Sequence, residues 1–238
     1  MKIFLTVVLL TILAASIWSG FKKGLIRGIA GLAAIVIALL GANYFADRFS
    51  DELVPALEPF VGGFVGSETN TDEILARLGY GGTELSLTDI LTQDTSLRYD
   101  YAYECIHSTG FYKSVSEDLA TDAVKYSDAA GISVTEAVTA VLCNTIAYVG
   151  CITVAFVMLL ILMSAVADIV NLDFHLPNAA LADEAAGAAL GFVRGFLYCV
   201  LLCWFLGFLG ILIGRETCEK TALVNFFLAF RFITQALI

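Results

Sequence analysis

The chain has 238 residues, 59% of them hydrophobic and 15% charged, with a mean hydropathy of +0.84 and a formal net charge of -10. A soluble domain is about half apolar and a quarter charged, whereas here Ala137 to Ala167 and Gly195 to Gly214 hold no charged side chain at all. A bilayer core takes about 20 apolar residues in a helix, so composition excludes an ordinary soluble domain and predicts an all-α polytopic membrane protein.

The first expected helix runs from Ile3 to Ser19. Lys2 and the small residues Ala14-Ala15-Ser16 also fit a signal peptide. A second apolar span, Gly28 to Ala46, follows at once, which favours a helical hairpin. Pro55 and Pro59, then Gly62-Gly63, are expected to close the second helix and separate it from an acidic insert. Between Asp47 and Glu136 there are 17 acidic and 5 basic side chains, so the negative charge of the protein is local. With no basic stripe, this stretch argues against nucleic acid as a partner and against docking on an anionic lipid surface.

Within the insert, Thr71 to Leu78 and Ser86 to Leu91 read as short helices, the second with Ser86 as N-cap. Gly79-Tyr80-Gly81-Gly82 reads as a turn. Ser114-Val115-Ser116-Glu117 is expected to open a helix to Tyr126, with Gly131 beyond it. The insert is thus expected to be a small helical, extracytoplasmic cap offering a surface to a protein partner.

Ser133-Val134-Thr135-Glu136 has the spacing of a capping box, and the third membrane helix is expected within Val134 to Val170. The fourth is expected within Arg194 to Gly214, followed by an amphipathic, Phe-rich tail that either lies in the interface or packs into the bundle. The expected organisation is a first hairpin (1–46), the insert (47–132), a second hairpin (133–214) and the tail (215–238).

Two strings are nearly the same: Gly24-Leu25-Ile26-Arg27-Gly28-Ile29 and Gly191-Phe192-Val193-Arg194-Gly195-Phe196. Each sits in a ladder of glycines four apart, Gly20, Gly24, Gly28 and Gly187, Gly191, Gly195. Chance in a Gly- and Leu-rich chain is one reading. The other is two similar hairpins related by an axis along the membrane normal, with one string at the start of helix two and the other at the start of helix four. Glycines four apart fall on one helix face and let helix backbones approach closely. Both ladders are therefore read as packing surfaces, within one chain or between copies in a homo-oligomer. Lys22, Lys23 and Arg27 form the densest basic cluster, which the positive-inside rule places in the cytoplasm. The N-terminus, insert and C-terminus are then extracytoplasmic.

Arg27 and Arg194 read either as anchors snorkelling to headgroups or as partners of the carboxylates Asp168, Asp173 and Asp183. His107 and His175 lack the spacing of a metal site, and no catalytic or cofactor fingerprint is present. No enzymatic activity, metal or cofactor is expected. A membrane-bound enzyme using Asp183, Glu184 or His175 is the weakest alternative. Cys143, Cys151, Cys199 and Cys203 lie in apolar spans and read as small hydrophobes. Cys105 and Cys218 both fall outside the membrane in this topology and form a candidate disulfide.

Gly24-Leu25-Ile26-Arg27-Gly28 after a first helix, and Asp183-x-x-x-Gly187-x-x-x-Gly191-x-x-Arg194-Gly195 before a last one, resemble the colicin V production protein family of bacterial inner-membrane proteins. The resemblance covers Met1 to Phe49 and Ile152 to Phe232. Thr6 and Glu184 depart from the family's common Asp and basic residue, and the acidic insert is additional. The resemblance implies a four-helix membrane protein that supports production or export of a peptide toxin (a bacteriocin), or maintenance of the envelope. The alternative from the residues is a small oligomeric transporter or channel, although ionisable groups, the usual mark of a translocation path, are scarce in the spans.

Overall fold

The computed structural model describes residues 2–81, 87–169, 180–208 and 222–228. Every regular element among them is helical: α1 (Lys2–Val65), α2 (Glu68–Arg77), α3 (Leu87–Gln93), α4 (Leu97–Ser108), α5 (Lys113–Ala130), α6 (Val134–Ile169), α7 (Ala180–Phe208) and α8 (Ala222–Leu228). Three of these, α1, α6 and α7, are long and apolar enough to cross a membrane. The described residues fall into two compact units: 2–47, 151–169, 180–206 and 222–228 in one, 48–81, 87–150 and 207–208 in the other.

α1 contains both of the first two expected spans, joined at Gly24, whose backbone leaves the helical region with φ 73° and ψ -178°. The arm after the break (residues 25–65) does not stop at the prolines. It runs through Pro55 and Pro59 to Val65, which corrects the expected boundary. Each proline removes the N–H that would bond the carbonyl four residues back. Here both prolines, one turn apart, are exposed, so the two carbonyls they release lie on an open face of the helix. In the first unit, Ile35, Ala38, Leu39, Ala42 and Ala46 make a buried stripe at helical spacing. Leu5 and Leu9 do the same one turn apart on the first arm, while Phe4, Val7 and Leu10 are exposed. An apolar surface turned outward all along the long helices is what lipid requires.

α7 begins at Ala180, well before the expected start at Arg194, so Arg194 lies inside a helix rather than at its head. The two glycine-arginine strings are therefore not structurally equivalent: one straddles the break in α1, the other lies within an unbroken helix. α8 covers only part of the expected tail. It buries Val224 and sets Phe227 against Phe196 of α7, with ring centroids 5.4 Å apart. Ser86, Asp173, His175, Gly214 and Cys218 lie outside the described residues, and so does the side chain of Asp168.

The second unit has a core of its own, in which Tyr101, Cys105, Ile106, Phe111, Val138 and Leu142 are buried. α2 ends where the turn was expected. The Tyr80 N–H donates to the Leu75 carbonyl at 2.8 Å and the Gly79 N–H to the Ala76 carbonyl at 3.2 Å, with Gly79 at φ 89°. This is a Schellman closure, available because glycine carries no Cβ to oppose positive φ. The capping box before α6 forms as expected: the Ser133 N–H donates to the Glu136 carboxylate and the Glu136 N–H to Ser133 Oγ, both at 3.2 Å.

α5 departs from expectation. It starts at Lys113 with extended Tyr112 as its N-cap, and Ser114 does not cap it; it ends at Ala130, with Gly131 in the left-handed conformation. Buried Phe111 anchors the chain just before the helix, and Ser116 Oγ donates back to the Tyr112 carbonyl at 3.2 Å. α4, which the sequence pattern does not announce, packs against α5 and α2. Arg98 of α4 reaches α5, pairing with Asp128 at 2.7 Å and donating to Ser127 Oγ at 2.9 Å. Ser127 in turn donates to the Ile132 carbonyl at 2.7 Å. The Tyr101 hydroxyl is enclosed in the core without a well-aligned hydrogen bond, and burial raises its pKa while Thr71 and Thr135 nearby offset this in part.

Cys105 is a free thiol, wholly buried in this core, and its candidate disulfide partner, Cys218, lies outside the described residues. Burial pushes the thiol up to about 12. Because the thiolate is the nucleophile, Cys105 should remain unlabelled by a maleimide at pH 8 in the folded protein and be modified fully after denaturation, as read by mass spectrometry of its peptide.

Candidate functional site

Beyond Gly24 a new helix begins, and its first backbone N–H groups have no intrahelical acceptor. The sequence around the break supplies no Ser, Thr, Asp or Asn to cap them. The cap comes from α7. The Leu25 N–H donates to the carboxylate of Asp183 at 2.9 Å, and Asp183 is 2% exposed. Asp183 also lies in the first turn of α7. One carboxylate thus stands at the positive ends of two helices, where a negative charge is favoured.

The glycines make that placement geometrically attainable. A Cβ on Gly20 would run into the carbonyl of Gly187, and one on Gly187 would meet the backbone of Gly20 and Gly24. A Cβ on Gly191 would strike the Ser16 carbonyl, and one on Gly195 the Ser16 side chain. The first arm of α1 and α7 therefore lie backbone to backbone. Past the break, Gly28 accepts the Leu190 side chain. The ladders read from sequence are packing surfaces, and they pack on each other within one chain. Of the two arrangements expected from sequence, packing within one chain is the one these contacts make. Cys199 adds a contact further along, its thiol 3.6 Å from the Leu9 carbonyl.

Gly24 itself is not simply one more rung. Its combination of positive φ with ψ near 180° is essentially open to glycine alone. A side chain there would also press into the Asp183 carboxylate. The ladder reading missed this double duty because a periodic glycine and a hinge glycine look the same in a sequence.

Asp183 does not complete an ion pair with Arg194. The Arg194 guanidinium donates from Nε and Nη2 to the hydroxyl of Tyr198, one turn on, at 3.1 and 3.0 Å. It also lies over the Tyr198 ring, 5.3 Å from the centroid. Gly31 leaves room for its Nη1. Lys23, Arg27 and Arg194 line one cavity of about 190 Å³, with Ser164 and Met163 on its α6 side. Lys22 takes no part and lies over the Trp18 ring at 5.1 Å.

Two substitutions separate the roles of cap and hinge. Asp183→Ala leaves a buried N–H unsatisfied, a loss of about 1–3 kcal/mol, while Asp183→Asn keeps an acceptor and should cost less. Gly24→Ala combines backbone strain of about 1–3 kcal/mol with a collision at Asp183. Thermal unfolding in detergent, followed by circular dichroism, should rank the proteins as wild type, then Asp183→Asn, then Asp183→Ala and Gly24→Ala.

Residues 5–77 match the family described as Colicin V production protein. No curated protein and no solved structure matches the chain. The matched segment contains the first arm of α1, the break at Gly24, Arg27 and the second arm, and extends to the end of α2; the α7 motif lies beyond it. With three helices among the described residues long and apolar enough to span a bilayer, the chain is a membrane protein similar to the colicin V production protein family over residues 5–77.

Proposed function

We propose that this chain is a multi-pass accessory protein of the bacterial inner membrane, supporting the production or export of a peptide toxin of the colicin V kind. The match over residues 5–77 carries this reading. The packing supports a role exercised through contacts: the most constrained residues, Gly20, Gly24, Gly187 and Asp183, join helices to one another.

In this reading the membrane is crossed four times. Within the first unit, residues 25–47 of α1 and 151–169 of α6 are about 34 Å and 28 Å long at the usual helical rise. Both lengths suit a hydrocarbon core of about 30 Å. Residues 48–65 of α1 and 134–150 of α6 belong to the second unit, which is rich in acidic side chains and has a core of its own. The Lys22, Lys23 and Arg27 end of the bundle faces the cytoplasm by the positive-inside rule, and residues 48–150 are extracytoplasmic.

A strain deleted for this protein should secrete less of its peptide toxin while transcribing the toxin gene normally; unchanged toxin titre with an intact envelope would remove the proposed role. For topology, Lys125, 72% exposed in its side chain, is replaced by Cys. A membrane-impermeant thiol reagent should label this variant in intact cells, with the unmodified protein as blank. Labelling only after the membrane is opened would invert the assignment.

A further inference from the structure

A second cavity lies beside the basic one. Tyr198 lines both. Its hydroxyl holds Arg194 beside the first cavity. The second, of about 300 Å³, is walled by apolar side chains including Leu39, Phe156, Leu201, Trp204 and Phe205. Charge and grease thus meet at a single residue.

The guanidinium of Arg194 carries five N–H donors in a fixed fork. Two are spent on Tyr198, and those of Nη1 lie beside Gly31, where a side chain would intrude. Tyr198 thus fixes the plane of the fork without neutralising it. Lys23 brings a second positive charge to the same cavity, Arg27 a third, and Ser164 a hydroxyl. A planar fork with a point charge beside it is the donor set that recognises phosphate oxygens. No aqueous anion needs the apolar second cavity, but an acyl chain does.

We propose that the two cavities form one binding site for an anionic phospholipid, its headgroup phosphate on Arg194 and Lys23 and an acyl chain along the Tyr198 ring toward Trp204. Gly31 and Tyr198 are positioning residues, one leaving space for the guanidinium and the other holding it. The charge complementarity selects an anionic over a zwitterionic headgroup, and the apolar cavity selects a lipid over a free phosphate ester.

The site carries its own reporter. The chain has two tryptophans, Trp18 and Trp204, and Trp204 lines the apolar cavity. In full-length Trp18→Phe protein in detergent, phosphatidylglycerol brominated on its acyl chains should quench Trp204 fluorescence saturably, and brominated phosphatidylcholine should do so at about tenfold higher concentration. Arg194→Gln should weaken the phosphatidylglycerol effect about tenfold, consistent with loss of one charge-assisted contact. Because Arg194 is partly buried, Lys23→Gln at an exposed position is the second variant, expected to weaken binding in the same direction with an unchanged circular dichroism spectrum. Equal quenching by the two lipids, or quenching indifferent to both substitutions, would overturn the proposal. Displacement of the lipid by inorganic phosphate at millimolar concentration would overturn the lipid assignment and leave a site for the free anion.

Discussion

A backbone N–H has nowhere to turn in hydrocarbon, so a helix that breaks within or beside the bilayer must bring its own acceptor. That constraint governs the first unit of this protein. α1 breaks at Gly24, the new helix exposes its N-terminal amides, and the carboxylate of Asp183 answers Leu25 from the opposite side of the fold. A carboxylate can arrive there only if α7 approaches to backbone contact, and that approach is possible only with glycine at Gly20, Gly187 and Gly191. The hinge, the cap and the ladder are one device. Remove the small residues and the cap cannot reach; remove the cap and the hinge holds an unsatisfied amide.

The same closeness sets what lies at the neighbouring positions. With α7 locked against the first arm, Arg194 falls over Gly31 of the second arm and cannot extend through it. It turns along its own helix to Tyr198. Lys23, Arg27 and Arg194 thereby line one cavity. The second unit is held on different terms. There the core is built on Tyr101, Cys105 and Phe111, and polar links such as Arg98 to Asp128 join helices at the surface; such a surface pair contributes at most about 1 kcal/mol. Apolar burial is the principal glue in water, and close backbone packing is the substitute in lipid.

Local chemistry was readable at two places where both partners lie within a few positions of each other, though not at Ser114, where buried Phe111 and Ser116 set the start of α5 instead. The Ser133–Glu136 box and the Gly79 closure are of that kind, and both form. The glycine ladders were readable as packing faces because their period is that of the helix. What they pack on was not, since nothing in a period names a partner. Asp183 was legible as an ionisable residue near a membrane span, but its role depends on an amide 158 residues earlier in the chain. Pro55 and Pro59 misled because a proline announces a missing hydrogen bond, while its tolerance depends on whether the stranded carbonyls are open, which is a matter of tertiary structure. α4 escaped notice for a related reason. Tyr99, Tyr101 and Tyr103 fall at every second position as on a strand face, and only the burial of Tyr101, Ala102, Cys105 and Ile106 reveals the helical face. Burial likewise converted Cys105 from a candidate for oxidation into a core residue.

The distance in sequence between the hinge and its cap has a consequence for biosynthesis. Leu25 leaves the ribosome 158 residues before Asp183 does, an interval of roughly 8–30 s at elongation rates of about 5–20 residues per second. Through that interval the first two helical segments exist without the carboxylate that completes their turn and without the glycine face that braces it. The amides of the break must meanwhile find other acceptors, such as water or lipid headgroups. The arrival of α7 then exchanges those transient partners for Asp183, so that a helix made late fixes a turn made early.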